Sequence, residues 1–480
     1  MVIISLLLFI FTFKKLYVSL SIMQQQFYNI ERYFIYKKEN YNIIDFMMFC
    51  FGIIAYILNR EILSLLLLLL LLIYCFPIIK KRIIKLKITK RIVRIFCVHF
   101  IFLLSLSFLT SAFDNQGKLL IVIIVLNLYD YLFLVPFSIE IIIEKMINKY
   151  YYNLAKKKIK HSKIKVIGIT GSYAKTSIKN YLYSVLINKY KVLMTPKSYN
   201  TILGVCKTIN EANLNNYDYI IIEIGLDKTK SINKFLKLFD VEIGIVSGIS
   251  KQHFKTFKSL ENIAKEKIKL ALNSKVSFVN TTNKEIIPYI NESMNTYNEN
   301  ELEIINNNSF KYDQEIYTTL VHGQHFFVNL LCVIKVAKYL NVSSNLIKES
   351  ISKMKNVEHR FELKMKDGVK VIDDAYNSNV YSFNKALDSF SRYENYKIII
   401  TPGLIELGSE NYKINKNIAK RCVDICDLVF VVGNNIAFKD LNNKKIQFYM
   451  NFKDAYNAAL NVLEDKIILI ENDLGDFYIS

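Results

Sequence analysis

Gly171-Ser-Tyr-Ala-Lys175-Thr176-Ser177 places small residues, a lysine and two hydroxyls in one short run. It follows residues 164–170 (IKVIGIT), which read as a buried strand, and precedes a helical stretch over 178–188. A strand, a small-residue turn and a helix start form an anion site, because backbone N–H groups and the helix dipole face the phosphates there. Lys175 can reach the outer phosphates and the Thr176 hydroxyl can ligate magnesium. Ala174 stands where phosphate loops normally carry glycine, which costs about 1 kcal/mol if the backbone needs a glycine-only conformation.

Further strands are expected over 191–195, 219–224 and 241–247, the third ending in Glu223-Ile-Gly225 and the fourth leading into Ser250-Lys-Gln-His253. A carboxylate and an imidazole at the ends of parallel strands point into the crevice where α/β sheets bind ligands. Beside a phosphate loop that is magnesium chemistry; alone, either residue is more often structural.

Taken in order, Thr170–Ser177, the 195–205 run TPKSYNTILGV, Glu223-Ile-Gly225 and Gln252-His253 resemble the Mur ligases. The run IDDAYNSN at 372–379 and TPGLIELG at 401–408 look like the branch that adds D-alanyl-D-alanine to a muramoyl-tripeptide. The likeness runs from about 163 to 474. It implies an ATP-dependent amide ligase: ATP phosphorylates a carboxylate, and an amine displaces phosphate from the acyl phosphate. Catalysis is then positioning and neutralisation of charge.

By that resemblance, Gly171, Ser172, Lys175, Thr176 and Ser177 hold ATP phosphates, and Thr176, Glu223 and His253 hold Mg2+. Lys267, in the 263–268 run IAKEKI beside Lys265, matches a lysine that is carbamylated in the family to support a metal. Asn329, after Gly323-Gln-His325, matches an adenine contact, Arg360 a phosphate contact and Asp374 a ribose contact. Lys175, Lys267, His253 and Arg360 form the expected catalytic set. Asn200, Thr201, Tyr376, Asn377 and Asn379 are expected to face the substrates. The partners implied are a muramoyl-peptide acceptor, UDP- or lipid-linked, and D-alanyl-D-alanine or a similar amine. Two further departures from the family pattern are Val380 in place of proline and Phe326 in place of asparagine. Two other readings stay open: the same chemistry on another peptide carboxylate, and a silent scaffold that binds nucleotide.

The elements that must position these groups divide in three. Residues 163–356 are expected to form a central α/β domain of phosphate-loop type. Residues 357–480 form a Rossmann-like α/β domain, with strands over 369–372, 397–401, 428–432, 445–449 and 467–470 and helices over 381–392, 412–425 and 453–463. A hinge is expected near Asn356. Ahead of them, residues 1–145 are dominated by Ile, Leu, Phe, Val and Tyr. The stretches 43–59, 61–79, 95–113 and 119–140 each approach the roughly 20 apolar residues of a membrane span, and a fifth, 1–21, is interrupted by Lys14 and Lys15.

The basic loops at 80–94 and in the 146–162 linker set orientation. The expectation is a five-helix transmembrane bundle, N-terminus outside, with the catalytic domains on the cytoplasmic face of the cell membrane. That architecture motivates membrane lipid as a partner and a lipid-linked acceptor. Much of the net charge of +21 is assigned to these loops and not to nucleic acid, since no nucleic-acid motif is present. Seven cysteines show no disulfide or zinc spacing; Cys422 and Cys426 read as one packed helix face.

Overall fold

The computed structural model describes residues 2–26, 28–39, 86–111, 129–226, 229–250, 257, 259–376, 378–405 and 407–472. These fall into two compact units, Met1–Lys149 and Tyr150–Ser480.

In the first unit, helices α1 (Val2–Gln25), α2 (Ile30–Glu39), α3 (Lys90–Ser111) and the start of α4 (Leu134–Lys160) surround a cluster that includes Leu20, Met23, Tyr33, Ile95, Phe133 and Phe137. The expected transmembrane bundle is corrected here. Among the described residues no helix is long and apolar enough to cross a membrane. In α1 the apolar run is interrupted by Lys14 and Lys15. In α3 it begins only after Lys90, Arg91 and Arg94, leaving about 17 residues, or roughly 25 Å, against a hydrocarbon core of about 30 Å. In α4, Glu140 is fully buried and takes Arg94 at 3.3 Å and Arg91 at 3.7 Å, so ion pairs occupy the seam. The stretches 43–59 and 61–79, and residues 119–128 of the stretch 119–140, lie outside the described residues. The multi-pass membrane placement and its cytoplasmic orientation fall with the bundle.

The second unit holds two six-stranded sheets. The first has the order β2-β3-β1-β4-β5-β6, all parallel, from β1 (Lys165–Thr170), β2 (Val192–Met194), β3 (Tyr219–Glu223), β4 (Val241–Val246), β5 (Ser274–Asn280) and β6 (Asn295–Tyr297). Its central strands are near-continuous apolar runs because helices cover both faces; all of β3 is buried. Helix α5 (Lys175–Leu186) presents Ile178, Tyr181, Leu182 and Val185 to one face at helical spacing. Across the sheet lie α6 (Ile202–Glu211) and α7 (Leu260–Leu272), whose Val205, Ile209, Ile263 and Ile268 join Ile220 and Ile222 in a second core. Truncating one of these residues to alanine costs about 2–5 kcal/mol. Helix α8 (Phe327–Tyr339) is apolar nearly all round and packs against α5; α9 (Ser344–Ser352) follows it.

A small antiparallel sheet, β7 (Glu303–Asn306), β8 (Ser309–Tyr312) and β9 (Glu315–Thr318), stands beside this core. The second six-stranded sheet has the order β10-β11-β15-β12-β13-β14. It is built from β10 (Glu362–Lys366), β11 (Val369–Asp374), β12 (Tyr396–Thr401), β13 (Leu428–Val432), β14 (Ile446–Tyr449) and β15 (Lys466–Glu471), parallel except for β10. Helices α10 (Val380–Phe390), α11 (Asn411–Ile425) and α12 (Phe452–Leu460) cover it. Every strand and helix expected after residue 357 is present, within three residues at each end. The edge strand β10 is additional.

Candidate active site

Strand β1 ends at Thr170, and the chain turns through Gly171 at φ +155°. A Cβ there would strike Ser247 Oγ, so only glycine lets the loop pass β4 this closely. The loop is pinned by Ser172 N donating to Gly248 O at 2.7 Å and Ser172 Oγ to Ser250 O at 3.1 Å. Ala174 then takes φ 63°, ψ −2°, the left-handed conformation that the usual glycine would adopt freely. No side chain caps the start of α5 at Lys175. Its first-turn N–H groups are therefore oriented as an anion site needs. Lys175 folds back over the loop, Nζ to Gly171 O at 2.8 Å. Burial lowers its pKa while the charge of Glu223 opposes that shift.

Glu223 ends β3 and is 1% exposed. Its Oε2 accepts from Thr176 Oγ1 at 3.0 Å and sits 3.2 Å from Lys179 Nζ, while Oε1 accepts from Asn200 Nδ2 at 3.2 Å. A carboxylate and a hydroxyl beside a phosphate loop fit a hard divalent cation, which takes oxygen ligands from one or two carboxylates and from substrate phosphates. Lys179 is one residue that sequence reasoning missed; Glu471, opposite Asp374, is another. The signal for Lys179 was its place four residues after Lys175, on one helix face.

Lys267, on α7, reaches the same loop from the other side, donating to Gly171 O at 2.9 Å. Burial, and the neighbouring charge of Lys175, hold its pKa well below the usual lysine value. Lys265 points elsewhere, pairing with Glu261 at 2.5 Å on the surface. His253 lies outside the described residues.

Gly171–Ser177, Asn200, Thr201, Glu223, Asn329, Arg360, Asp374, Tyr376 and Asn379 all line one cleft of about 730 Å³; Asn377 lies outside the described residues. Asn329 is buried there and its Oδ1 has no hydrogen-bond partner. An orphaned buried amide in a cleft is a recognition group awaiting a ligand. The Arg360 guanidinium lies 4.0 Å over the Tyr376 ring. Asp374 accepts Phe361 N at 3.1 Å and faces Glu471 in register on β15. Burial raises the Asp374 carboxyl to about 6 and Glu471 well above the carboxylate range, so the site favours the protonated form of both. Asp373 is engaged outside this cleft, with Lys364 Nζ at 2.7 Å and His359 Nδ1 at 2.9 Å.

Two expected substrate residues also have local structural duties. Thr201 caps α6 by accepting Gly204 N at 3.2 Å, and Asn379 caps α10 by accepting Tyr381 N at 3.0 Å and Ser382 N at 3.2 Å. The two sheets' segments meet around the cleft. Tyr173 of the loop stacks on Tyr381 at 4.5 Å, and Lys385 pairs with Glu299 at 3.1 Å. His325 Nδ1 lies 2.8 Å from Ser389 Oγ, and burial lowers its pKa to about 3.

Two family models match the chain: the Mur ligase middle domain over residues 169–337 and the Mur ligase, glutamate ligase domain over 359–471. A UDP-N-acetylmuramoyl-tripeptide--D-alanyl-D-alanine ligase of Borreliella burgdorferi is 27% identical over 339 residues, 65% of this chain and 72% of the relative. One of the same name from Buchnera aphidicola is 27% identical over 63% of this chain and 71% of the relative. In fold, the chain is similar to the crystal structure of the MurF ligase of Thermotoga maritima in complex with ADP, with TM-score 0.61 and 20% identity over 68% of this chain and 80% of that one. The two matched domains coincide with the two sheets that meet at the cleft and together take in more than half of the residues, so the chain belongs to the Mur ligase family of ATP-dependent acid–amino-acid ligases.

Proposed function

We propose that the chain joins D-alanyl-D-alanine to the terminal carboxylate of UDP-linked muramoyl-tripeptide in peptidoglycan precursor synthesis, the activity named for the Borreliella and Buchnera relatives. The observation that carries this reading is the convergence, in one cleft, of a phosphate loop, the buried carboxylate Glu223 and the unpartnered Oδ1 of Asn329. The lipid-linked acceptor loses its motivation with the transmembrane bundle.

In this reading, adenine meets Asn329, the ribose hydroxyls meet the Asp374–Glu471 pair, and the triphosphate lies along Gly171–Ser177 with Ser172 and Ser177 beside it. Lys175 and Arg360 draw charge from the γ-phosphate as the acceptor carboxylate attacks and ADP leaves. The amine nitrogen then attacks the acyl carbon, phosphate departs, and the nitrogen loses a proton. Thr176 and Glu223, with His253 by the family resemblance, would hold magnesium, which would supply neutralisation of phosphate charge. Lys179 and Asn200 keep Glu223 aimed into the cleft. Burial biases Lys267 toward the free amine that carbamylation requires. Tyr376, Asn377 and Asn379, with Asn200 and Thr201, border the amine and acceptor.

The domains are 163–356 and 357–480, with a hinge near Asn356, whose side chain ties His322 to Arg360 through bonds of 2.7–3.1 Å. The test is phosphate release from ATP by the full chain with D-alanyl-D-alanine and UDP-muramoyl-tripeptide, with Lys175→Ala as the blank. Release that requires both substrates and disappears in the variant is expected. Release indifferent to either substrate would overturn the assignment.

A further inference from the structure

Tyr173 has no task in the chemistry above, yet it is the one aromatic residue in Gly171–Ser177, whose other members are small, hydroxylated or the lysine. Its ring is held on several sides. A Cβ added at Gly248 would strike it, so the bare backbone after β4 is what lets the ring lie there. At its edge the Oη donates to Asn283 Oδ1 at 2.7 Å, and the same oxygen accepts Ile249 N at 3.0 Å. Against its face lies Tyr381, with 4.5 Å between ring centroids and 18° between the planes.

Tyr381 comes from the other sheet's domain. It is the second residue of α10, and Asn379 Oδ1, the cap that also lines the cleft, accepts its N–H. One turn on, Lys385 Nζ lies 5.5 Å from the centre of the Tyr381 ring and pairs with Glu299 at 3.1 Å. Both tyrosines line the cleft themselves. The helix whose start borders the amine in the proposed reaction therefore rests, through one pair of rings, on the loop that holds the phosphates. Tyr173 is flanked by Ser172, pinned to Gly248 O, and by Ala174 in its left-handed conformation, so a shift of the ring is a shift of the loop.

The chemistry makes that contact consequential. An acyl phosphate is open to an amine and to water. Attack by the amine nitrogen on the acyl carbon gives amide and phosphate. Attack by water on the same carbon returns the carboxylate and also releases phosphate, so ATP is hydrolysed with no bond formed. Stacked rings leave water no room between loop and helix, and they fix the two reacting groups in register. We propose that Tyr173 and Tyr381 are positioning residues whose stack registers the amine-bearing end of α10 on the phosphate loop and keeps water from the acyl phosphate, so that each ATP cleaved yields one amide. This deepens the ligase reading and rests on it.

The experiment measures phosphate released per amide formed by the full chain with ATP, magnesium, D-alanyl-D-alanine and UDP-muramoyl-tripeptide. In the wild type the ratio is expected to be about one. Tyr173→Leu and Tyr381→Leu should each raise it to about three or more, and the double variant no further than the worse single. Tyr381→Phe, which keeps the ring, should hold it at about one. A role in folding alone would lower amide and phosphate together and leave the ratio where it was. An unmoved ratio in the leucine variants, whatever their rate, would overturn the proposal. So would effects that multiply in the double variant, or a phenylalanine variant as leaky as leucine. A wild type that forms no amide would overturn the ligase reading and this proposal with it, whereas a fixed ratio in a protein that forms amide overturns this alone.

Discussion

The two sheets bring opposite chemistry to the cleft. The β1–β6 sheet contributes three buried or half-buried lysines, Lys175, Lys179 and Lys267, around one carboxylate, Glu223. The β10–β15 sheet contributes two buried carboxyl groups, Asp374 and Glu471, around one guanidinium, Arg360. On the first side every polar atom of Glu223 has a partner; on the second, burial pushes both acids toward protonation and, among the described residues, no ion pair reaches them. The cationic side suits transferring phosphates, and the acidic side suits hydroxyls and an ammonium group. A ligase that must phosphorylate a carboxylate oxygen and then bring an amine to the same carboxyl carbon needs both.

The largest break in this comparison should come from the cationic side. Lys175→Ala removes the only lysine folded over the phosphate loop from α5's first turn, and should lower acceptor-dependent phosphate release by roughly a thousandfold with little change in melting temperature. Lys267→Ala should cost about a hundredfold, and Lys267→Arg should not restore the rate if the neutral amine is what matters. Depleting bicarbonate should slow the wild type and leave both Lys267 variants unmoved; a wild type indifferent to bicarbonate would leave Lys267 as a plain buried amine.

Asn329→Ala removes the orphaned amide and should raise the KM for ATP about tenfold with kcat nearly constant, which initial-rate measurements separate. The acidic side should show itself in stability. Asp374 moves from 3.8 unfolded to about 6 folded, so the folded state takes up a proton between those values and stability falls as pH rises through that window. Glu471→Gln should flatten this dependence and stabilise the protein by roughly 1 kcal/mol or more above pH 6, as urea unfolding at pH 4.5 and 8 would reveal. The smallest effect is expected from Ala174→Gly, about 1 kcal/mol gained by relieving the left-handed backbone; a lowered melting temperature would mean that the strain is not there.

Much of the catalytic half was legible because its signals are local. IKVIGIT before a small-residue turn can only be a buried strand feeding a helix, and the αL geometry of Ala174 is the one that a glycine at that position implies. The strands of the second sheet were equally plain, being short apolar runs between polar helices. Strand β10, ELKMK, was not, because an antiparallel edge strand with one wet face has no apolar run to show. The β7–β9 sheet failed to register for a similar reason, its strands being only four residues each and half polar. Lys179 and Glu471 were missed because their importance lies in what they touch: an ammonium on Glu223, a carboxyl opposite Asp374. The N-terminal misreading came from giving the apolar counts more weight than the charges noted among them, Lys14, Lys15 and Glu140, and from reading Arg91 and Arg94 as loop residues, whereas they lie on a helix and face Glu140.

The stacked rings of Tyr173 and Tyr381 give this protein an optical handle. The chain contains no tryptophan, so an indole placed at Tyr381 would be the sole emitter above the tyrosine band. Because its neighbour in the stack belongs to the phosphate loop, the colour and polarisation of that single fluorophore would follow nucleotide arrival and departure in real time, without labels and without background.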